Sequence, residues 1–232
     1  MRSVVKDIFS VKSARILRVL LVNANRDWNE RELAEEAKVS RGLAHYVCRS
    51  LIEWGYVSRS EQNRLVLVDP VRLLKRWAAY HQYDKMNIFL EYYTFEREVD
   101  RFIKQLSTLS NLRYALTALA GAFLIAPHVR PVDVHMYVYN KEDTAAIAKA
   151  LNLQPITRGG NVKFVLPYDE GVFYGKQTAS LWISDQAVSG VNVVSSVQLY
   201  VDLYNFPARG EEAASHLLEY ILKEWKEKRG ME

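Results

Sequence analysis

A pair of helix patterns joined by a break of a few residues lies near the start of the sequence. The first covers Glu30 to Lys38, and Asn29 before it can cap a helix with the help of a glutamate three residues later. The second covers Arg41 to Trp54, with Ser40 as its cap and Gly55 suited to ending it. Two helices joined so closely, the first rich in small residues, are typical of a helix-turn-helix.

The second of these helices carries a polar stripe opposite its apolar residues. Arg41, His45 and Arg49 recur every four residues, which places them on one side of a helix. The residues beside them are small or can form hydrogen bonds: Gly42, Tyr46 and Ser50. Such side chains near the start of a helix are suited to reading base edges in the major groove. We therefore predict that residues 41–54 form a DNA recognition helix.

A short β-hairpin is predicted directly after this helix. Two β-prone runs within residues 56–68 flank a polar turn. Such a hairpin is the wing of a winged helix-turn-helix, and we expect Arg59, Asn63 and Arg64 to contact the DNA backbone or the minor groove. One such domain makes few base contacts, so a homodimer on paired half-sites of double-stranded DNA is expected. A winged helix used for protein contacts, without duplex-specific binding, is the alternative.

The charge of the chain is unevenly distributed. Among 232 residues the formal net charge is +4, yet residues 1–82 hold 15 Lys and Arg against 9 Asp and Glu, a net +6, and the remainder holds a net −2. A basic part joined to a neutral or acidic remainder is typical of a polyanion-binding module on a separate body. We predict a DNA-binding domain over residues 1–82 and a second domain, with a helical connector, over residues 83–232.

Several classes of protein are disfavoured by composition. A single cysteine, Cys48, rules out an intramolecular disulfide framework and a multi-cysteine zinc site. Apolar runs are too short for a membrane span. Arg2, Lys6 and Asp7 bring charge too early for a secretory signal. A cytoplasmic protein with no cofactor, no metal site and no membrane partner is expected.

The second domain mixes both kinds of secondary structure, so the predicted fold class is α/β or α+β. Apolar residues that recur every three to four positions predict a mostly helical stretch from Asp84 to Ser110. Small, apolar residues predict a buried helix from Leu112 to Ile125. A strand is predicted from Val132 to Tyr139 and a hairpin with a glycine-rich turn from Ile156 to Leu166. A final helix is predicted from Glu211 to Lys228.

Particular stretches of this domain resemble one family, the AbiEi-type antitoxins and transcriptional regulators of type IV toxin–antitoxin systems. The stretches that carry the resemblance are Arg113–Thr117, Ala126–Pro131, Val134–Val138, Ser195–Tyr204 and Ala208–Ala214, the last two being the most specific. Ser196 departs from the proline expected there. The resemblance implies a regulator that binds its own promoter through the N-terminal domain and acts as a repressor. It also implies a nucleotidyltransferase toxin that is counteracted without a tight complex.

Two polar groups in the second domain are candidates for a further role. Gln198 and Asp202 lie four residues apart on one helix, and the next helix opens with three charged residues, Arg209, Glu211 and Glu212. This cluster predicts either a salt bridge between helices, with acids at a helix N-terminus, or a recognition site for RNA or a ligand.

Asp133 and His135 share a face of a strand, as half of a metal or acid–base pair would, or as side chains at a solvent-facing edge of a sheet. The sequence has no third ligand at motif spacing and no HExxH, GxSxG or phosphate-binding loop motif. A protein that is not an enzyme is therefore predicted, with a ligand- or nucleotide-binding enzyme in the C-terminal domain as the alternative.

Overall fold

The structure is a computed structural model that describes residues 7–109, 112–183 and 186–229. Arg2 and Lys6, on which the expectation about a secretory signal rests, lie outside these residues. The chain divides into two compact units. The N-terminal unit takes the described residues up to His81 and those from Ile221 onward, and the central unit takes the described residues from Gln82 to Tyr220. The sequence predicts a second domain over residues 83–232, and the structure differs in placing the described residues from Ile221 onward in the N-terminal unit.

The N-terminal unit contains three helices, a hairpin and a fourth helix. Their bounds are α1 Val11–Val22, α2 Glu30–Glu36, α3 Arg41–Glu53, β1 Val57–Arg59, β2 Leu65–Leu67 and α4 Pro70–Tyr80. The two strands pair antiparallel. Local signals explain where the helices begin, because Asn29 and Glu32 form a capping box and Ser40 accepts a hydrogen bond from the Leu43 amide.

The C-terminal end of the chain completes this unit. Trp225 is buried, and its indole Nε1 donates to the carbonyl oxygen of Leu21 at 3.1 Å. The side-chain amide of Asn25 donates to the carbonyl oxygen of Trp225 at 2.9 Å. These two hydrogen bonds tie residues from opposite ends of the sequence into one unit, which a pattern read along the chain does not reveal.

In the described part of the central unit, seven strands form one mixed sheet. The elements are α5 Tyr83–Met86, β3 Ile88–Tyr93, α6 Val99–Ser107, β4 Tyr114–Thr117, α7 Ala118–Ile125, β5 Val134–Val138, α8 Lys141–Ala150, β6 Gln154–Pro155, β7 Val162–Leu166, a 3-10 turn Glu170–Phe173, β8 Gln177–Ile183, β9 Gln186–Val193, α9 Ser196–Tyr204 and α10 Gly210–Arg229. Helix α10 belongs to this unit only up to Tyr220, since its residues from Ile221 onward belong to the N-terminal unit. The strand order is β6-β3-β7-β5-β4-β9-β8. Strands β5 and β7 pair parallel, as do β4 and β9, and the other pairs are antiparallel. The predicted mixed α/β fold class is confirmed.

Three predicted elements of the central unit are wrong. The stretch from Asp84 to Ser110, predicted mostly helical, contains strand β3 between two helices, and Ser110 itself lies outside the described residues. The helix predicted from Leu112 begins only at Ala118, after strand β4. The hairpin predicted from Ile156 to Leu166 does not form, because β6 and β7 each pair with β3. Pairing with distant strands overrides the local pattern in each case.

The glycine-rich turn has a packing role at this point. A Cβ atom on Gly160 would lie 2.5 Å from the carbonyl oxygen of Tyr92 in β3. The Gly160 amide donates to the carboxylate of Glu91 at 2.9 Å. Glycine is therefore required where the chain passes against β3 on its way into β7.

Candidate nucleic-acid interface

The predicted polar stripe of α3 faces solvent. Arg41, Gly42, His45 and Arg49 are exposed. Tyr46 and Ser50 are half-buried, and the Ser50 hydroxyl donates to the Tyr46 carbonyl oxygen within the helix. The opposite face holds the buried residues Ala44, Val47, Cys48 and Leu51. Helix α3 is therefore anchored by an apolar face and presents a polar face outward.

Arg41 and Arg49 make no hydrogen bond and no salt bridge with any residue that the structure describes. A Cβ on Gly42, between them, would meet nothing within 4 Å, so the start of α3 is also open sterically. Two guanidinium groups and an uncovered stretch of backbone therefore lie on one accessible face.

His45 and Arg59 share one carboxylate. Glu30 is the first residue of α2, and its Oε2 lies 2.9 Å from His45 Nδ1 of α3. Its Oε1 accepts a hydrogen bond from Nη2 of Arg59 in β1. Burial alone would raise the pKa of Glu30, but the hydrogen bonds and charges of His45 and Arg59 outweigh burial and lower it. Glu30 thus links the predicted recognition helix to the predicted wing.

The other two predicted wing residues differ in their surroundings. Asn63 is exposed and has a positive φ of 58°, which asparagine tolerates better than most residues, and its carbonyl oxygen accepts a hydrogen bond from Arg59 at 3.1 Å. Arg64 is half-buried, and its Nη2 donates to Glu32 Oε2 at 2.9 Å and to the Asp27 carbonyl oxygen at 2.8 Å. Arg64 therefore holds the hairpin against α2, a role that charge alone did not indicate.

A second basic surface adjoins the end of α3. The guanidinium of Arg76 in α4 lies 4.7 Å from the ring centroid of Trp54, and that of Arg72 lies 4.6 Å from the ring of Tyr56. Arg72 also donates to the Trp54 carbonyl oxygen at 2.6 Å. Cation–π contacts hold both side chains in place on the surface. The sequence places Arg72 and Arg76 on the basic face of a helix, but the predicted DNA-contacting residues do not include them.

The predicted C-terminal cluster separates into a buried pair and an exposed group. Gln198 and Asp202 are fully buried. Asp202 Oδ1 accepts hydrogen bonds from Gln198 Nε2 at 2.7 Å and from the Tyr137 hydroxyl at 3.2 Å, and Oδ2 accepts one from Thr117 at 2.6 Å. A carboxylate with these donors in the core is a structural centre of the unit.

Arg209, Glu211 and Glu212 are exposed and line an open depression of about 590 Å³ beside His128 and His216. Arg209 forms two hydrogen bonds with Glu212, at 2.8 and 2.5 Å. The predicted salt bridge therefore joins Arg209 to Glu212 at the start of α10, and does not join two helices.

His135 lies in β5, the central strand of the sheet and not an exposed edge, because β5 is flanked by β7 and β4, and Asp133 immediately precedes that strand. His135 is buried, with Nε2 3.2 Å from Asp133 Oδ2 and Nδ1 3.0 Å from the Tyr83 hydroxyl. Lys163 Nζ lies 2.9 Å from the same Asp133 oxygen. Burial would raise the pKa of Asp133, but His135 and Lys163 outweigh it and lower the pKa to about 2.

Within the described residues, no group of three or more His, Cys, Asp or Glu is arranged to hold a metal ion. Across the same described part of the chain, no helix is both long and apolar enough to span a bilayer.

Residues 64–223 match the family described as "Transcriptional regulator, AbiEi antitoxin, Type IV TA system", and the chain belongs to this family. The resemblance seen in the sequence is thereby confirmed. The matched residues begin at Arg64, so α3 and β1 lie before them. No curated protein and no solved structure is significantly similar to the chain.

The departure at Ser196 fits its position. Ser195 caps α9 by accepting a hydrogen bond from the Gln198 amide, which makes Ser196 the first helical residue. Proline is favoured at that position because its amide would have no partner within the helix. Serine is tolerated there, and the Ser196 hydroxyl oxygen accepts a hydrogen bond from Gln177 at 3.3 Å.

Proposed function

We propose that this regulator is a sequence-specific DNA-binding repressor of its own promoter. The N-terminal unit acts as a winged helix-turn-helix, with α3 in the major groove and the hairpin on the backbone or the minor groove. The observation that carries the proposal is the exposed face of α3, where Arg41 and Arg49 have no partner among the described residues. Such arginines can pair with guanine edges or with phosphates without first breaking another contact.

Gly42 supports the same orientation. Open space around its missing side chain lets a phosphate backbone approach the start of α3 closely. The amides at a helix N-terminus favour anions, so the end of the helix that carries Arg41 is the end best suited to face DNA. Arg59 and Asn63 then lie on the hairpin, where they can contact the DNA backbone or the minor groove. Arg64 mainly holds the hairpin against α2.

The test is a titration of duplexes across a range of salt concentrations. The chain is titrated with the region upstream of its own gene and with a scrambled duplex of equal length. We expect tighter binding to the upstream region and affinity that falls linearly with log salt as counterions are released. Equal affinity for both duplexes would overturn sequence-specific repression and would favour a winged helix that contacts protein.

A variant pair identifies the surface that binds. Arg41→Ala with Arg49→Ala should weaken binding by at least about 30-fold, since each arginine–base pair is worth about 1–3 kcal/mol. Arg97→Ala with Arg101→Ala is the matched control, because both arginines are exposed in the central unit and the charge change is the same. If both double variants bind like the parent, α3 is not the recognition helix. Circular dichroism checks that each variant is folded.

Type IV membership implies a toxin partner in general. We further propose that the toxin is a nucleotidyltransferase counteracted without a tight complex, and that the regulator binds as a homodimer. Co-expression with the neighbouring gene should neutralise toxicity without a stable complex in gel filtration. Light scattering of the regulator on its duplex should give two copies per site.

A further inference from the structure

We propose that Glu30 sets which bases His45 reads, so that His45 recognises a base with an exocyclic amino group, adenine or cytosine. This inference rests on the proposed entry of α3 into the major groove. It adds one positioning residue, Glu30, and one direction of hydrogen bonding, with the His45 ring as the acceptor.

In a neutral imidazole ring, the contact between Glu30 and His45 fixes which nitrogen carries the proton. An ionised carboxylate can only accept hydrogen bonds, so the Nδ1 atom that lies 2.9 Å from Glu30 Oε2 must carry a proton. In the neutral ring the other nitrogen, Nε2, then has no proton and is an acceptor. The Arg59 guanidinium, which donates to the other Glu30 oxygen and also lowers the pKa of Glu30, keeps the carboxylate ionised at neutral pH.

Glu30 is itself held in place. Its other oxygen accepts a hydrogen bond from Arg59, and only 27 % of the Glu30 side chain is exposed. The His45 side chain, by contrast, is 67 % exposed, and no described residue bonds to its Nε2. The constrained nitrogen therefore faces the protein, and the accepting nitrogen is available to a ligand.

Major-groove chemistry then selects the partner. An acceptor pairs with the amino group on adenine N6 or cytosine N4 and is repelled by the acceptor atoms of guanine and thymine. Arg41 and Arg49, one turn away on each side, are donors suited to guanine. The stripe therefore presents donor, acceptor and donor in order, which predicts an adenine or cytosine between two guanine contacts.

Two variants separate this role from a general effect of charge. Glu30→Gln keeps the size of the side chain, but its amide can donate or accept, so the ring of His45 is no longer constrained. Glu35→Gln is the matched control, because Glu35 is also on α2 and its replacement removes the same charge. Its carboxylate pairs with Arg31 at 2.9 Å and not with His45.

The first measurement needs no DNA. Nitrogen-15 spectra of the histidine ring at pH 8, above the ordinary histidine pKa of about 6.5, report which ring nitrogen carries the proton. We expect the Nδ1–H form for His45 in the wild type and in Glu35→Gln, and a mixture of both forms in Glu30→Gln. An Nε2–H ring in the wild type would overturn the inference.

The second measurement is selection from a randomised duplex library at pH 8. The wild type and Glu35→Gln should prefer adenine or cytosine at one position by about 5-fold or more, the value of a single base contact of about 1 kcal/mol. His45→Ala and Glu30→Gln should lose that preference while the guanine preferences from the arginines remain. Identical preferences in wild type and Glu30→Gln overturn this inference alone. A wild type that selects no sequence overturns the proposed function as well.

Discussion

The carboxylate of Asp202 accepts a 2.6 Å hydrogen bond from the hydroxyl of Thr117, and both side chains are fully buried. Thr117 is the last residue of β4, and Asp202 lies in α9. The hydrogen bond therefore joins a strand near the middle of the sheet to the helix that covers it. Gln198 and Tyr137 donate to the other oxygen of the same carboxylate.

Replacement of Asp202 by asparagine should destabilise the central unit by about 1–3 kcal/mol. The new amide group is a donor where the carboxylate accepted, and a buried polar atom left without a partner costs about that much. The unfolding midpoint in urea measures the effect. Glu211→Gln, an exposed change from the same predicted cluster, should stay within about 0.5 kcal/mol of wild type. Equal midpoints for the two variants would show that the buried network contributes nothing to stability.

The ion pairs of Asp133 predict a loss of stability in acid. Its pKa is lowered from 3.8 to about 2 in the folded protein, so the folded state favours the ionised carboxylate. This contribution is complete above the unfolded pKa, amounts to about 2 kcal/mol, and is lost as pH falls from about 4 to 2.

The measurement is the free energy of unfolding of wild type and Asp133→Asn at a series of pH values. Wild type should be the more stable protein at pH 7, and the difference should shrink below pH 4. A difference that does not change with pH would mean that the Asp133 carboxylate is not stabilised by His135 and Lys163.

The sequence predicts the N-terminal unit better than the central one because its signals are local. The Asn29–Glu32 capping box, the Ser40 cap and the positive φ of Gly55 each involve residues within a few positions of one another. In β3, by contrast, the helix-like spacing was overridden by β7, whose residues pair with β3 across 70 to 78 positions. No pattern within β3 carries that information.

The candidate sites show the same division. Periodicity placed Arg41, His45 and Arg49 on one side of α3, and all of them are exposed. It could not show that Glu30 contacts His45, since the two residues lie on different helices. Nor could four-residue spacing separate a surface pair from Gln198 and Asp202, whose burial depends on partners in β4 and β5.

A single glycine should stabilise the loop between α9 and α10. Ala208 is exposed and has a positive φ of 61°, a conformation in which a Cβ atom is strained. Ala208→Gly should therefore raise the stability of the central unit by about 0.5–1 kcal/mol. The matched control is Ala146→Gly, at an exposed position within α8, which should lower stability by about the same amount. Thermal melting that shifts in the same direction for both would contradict the strain at Ala208.

The thiol of Cys48 should report the opening of the N-terminal unit. Cys48 is 1 % exposed on the inward face of α3, and burial, together with the nearby Glu30 carboxylate, raises its pKa to about 12. At pH 8 few molecules hold the thiolate, so a disulfide reagent should react at least about 10³-fold more slowly than with a free cysteine. Since Cys48 is the only cysteine, the absorbance of the released thiol measures this site alone. In urea, which unfolds the chain, Cys48 should react with the reagent as fast as a free cysteine. Rapid labelling without denaturant would mean that α3 does not rest on its apolar face, and the orientation of Arg41 and Arg49 toward solvent would lose its support.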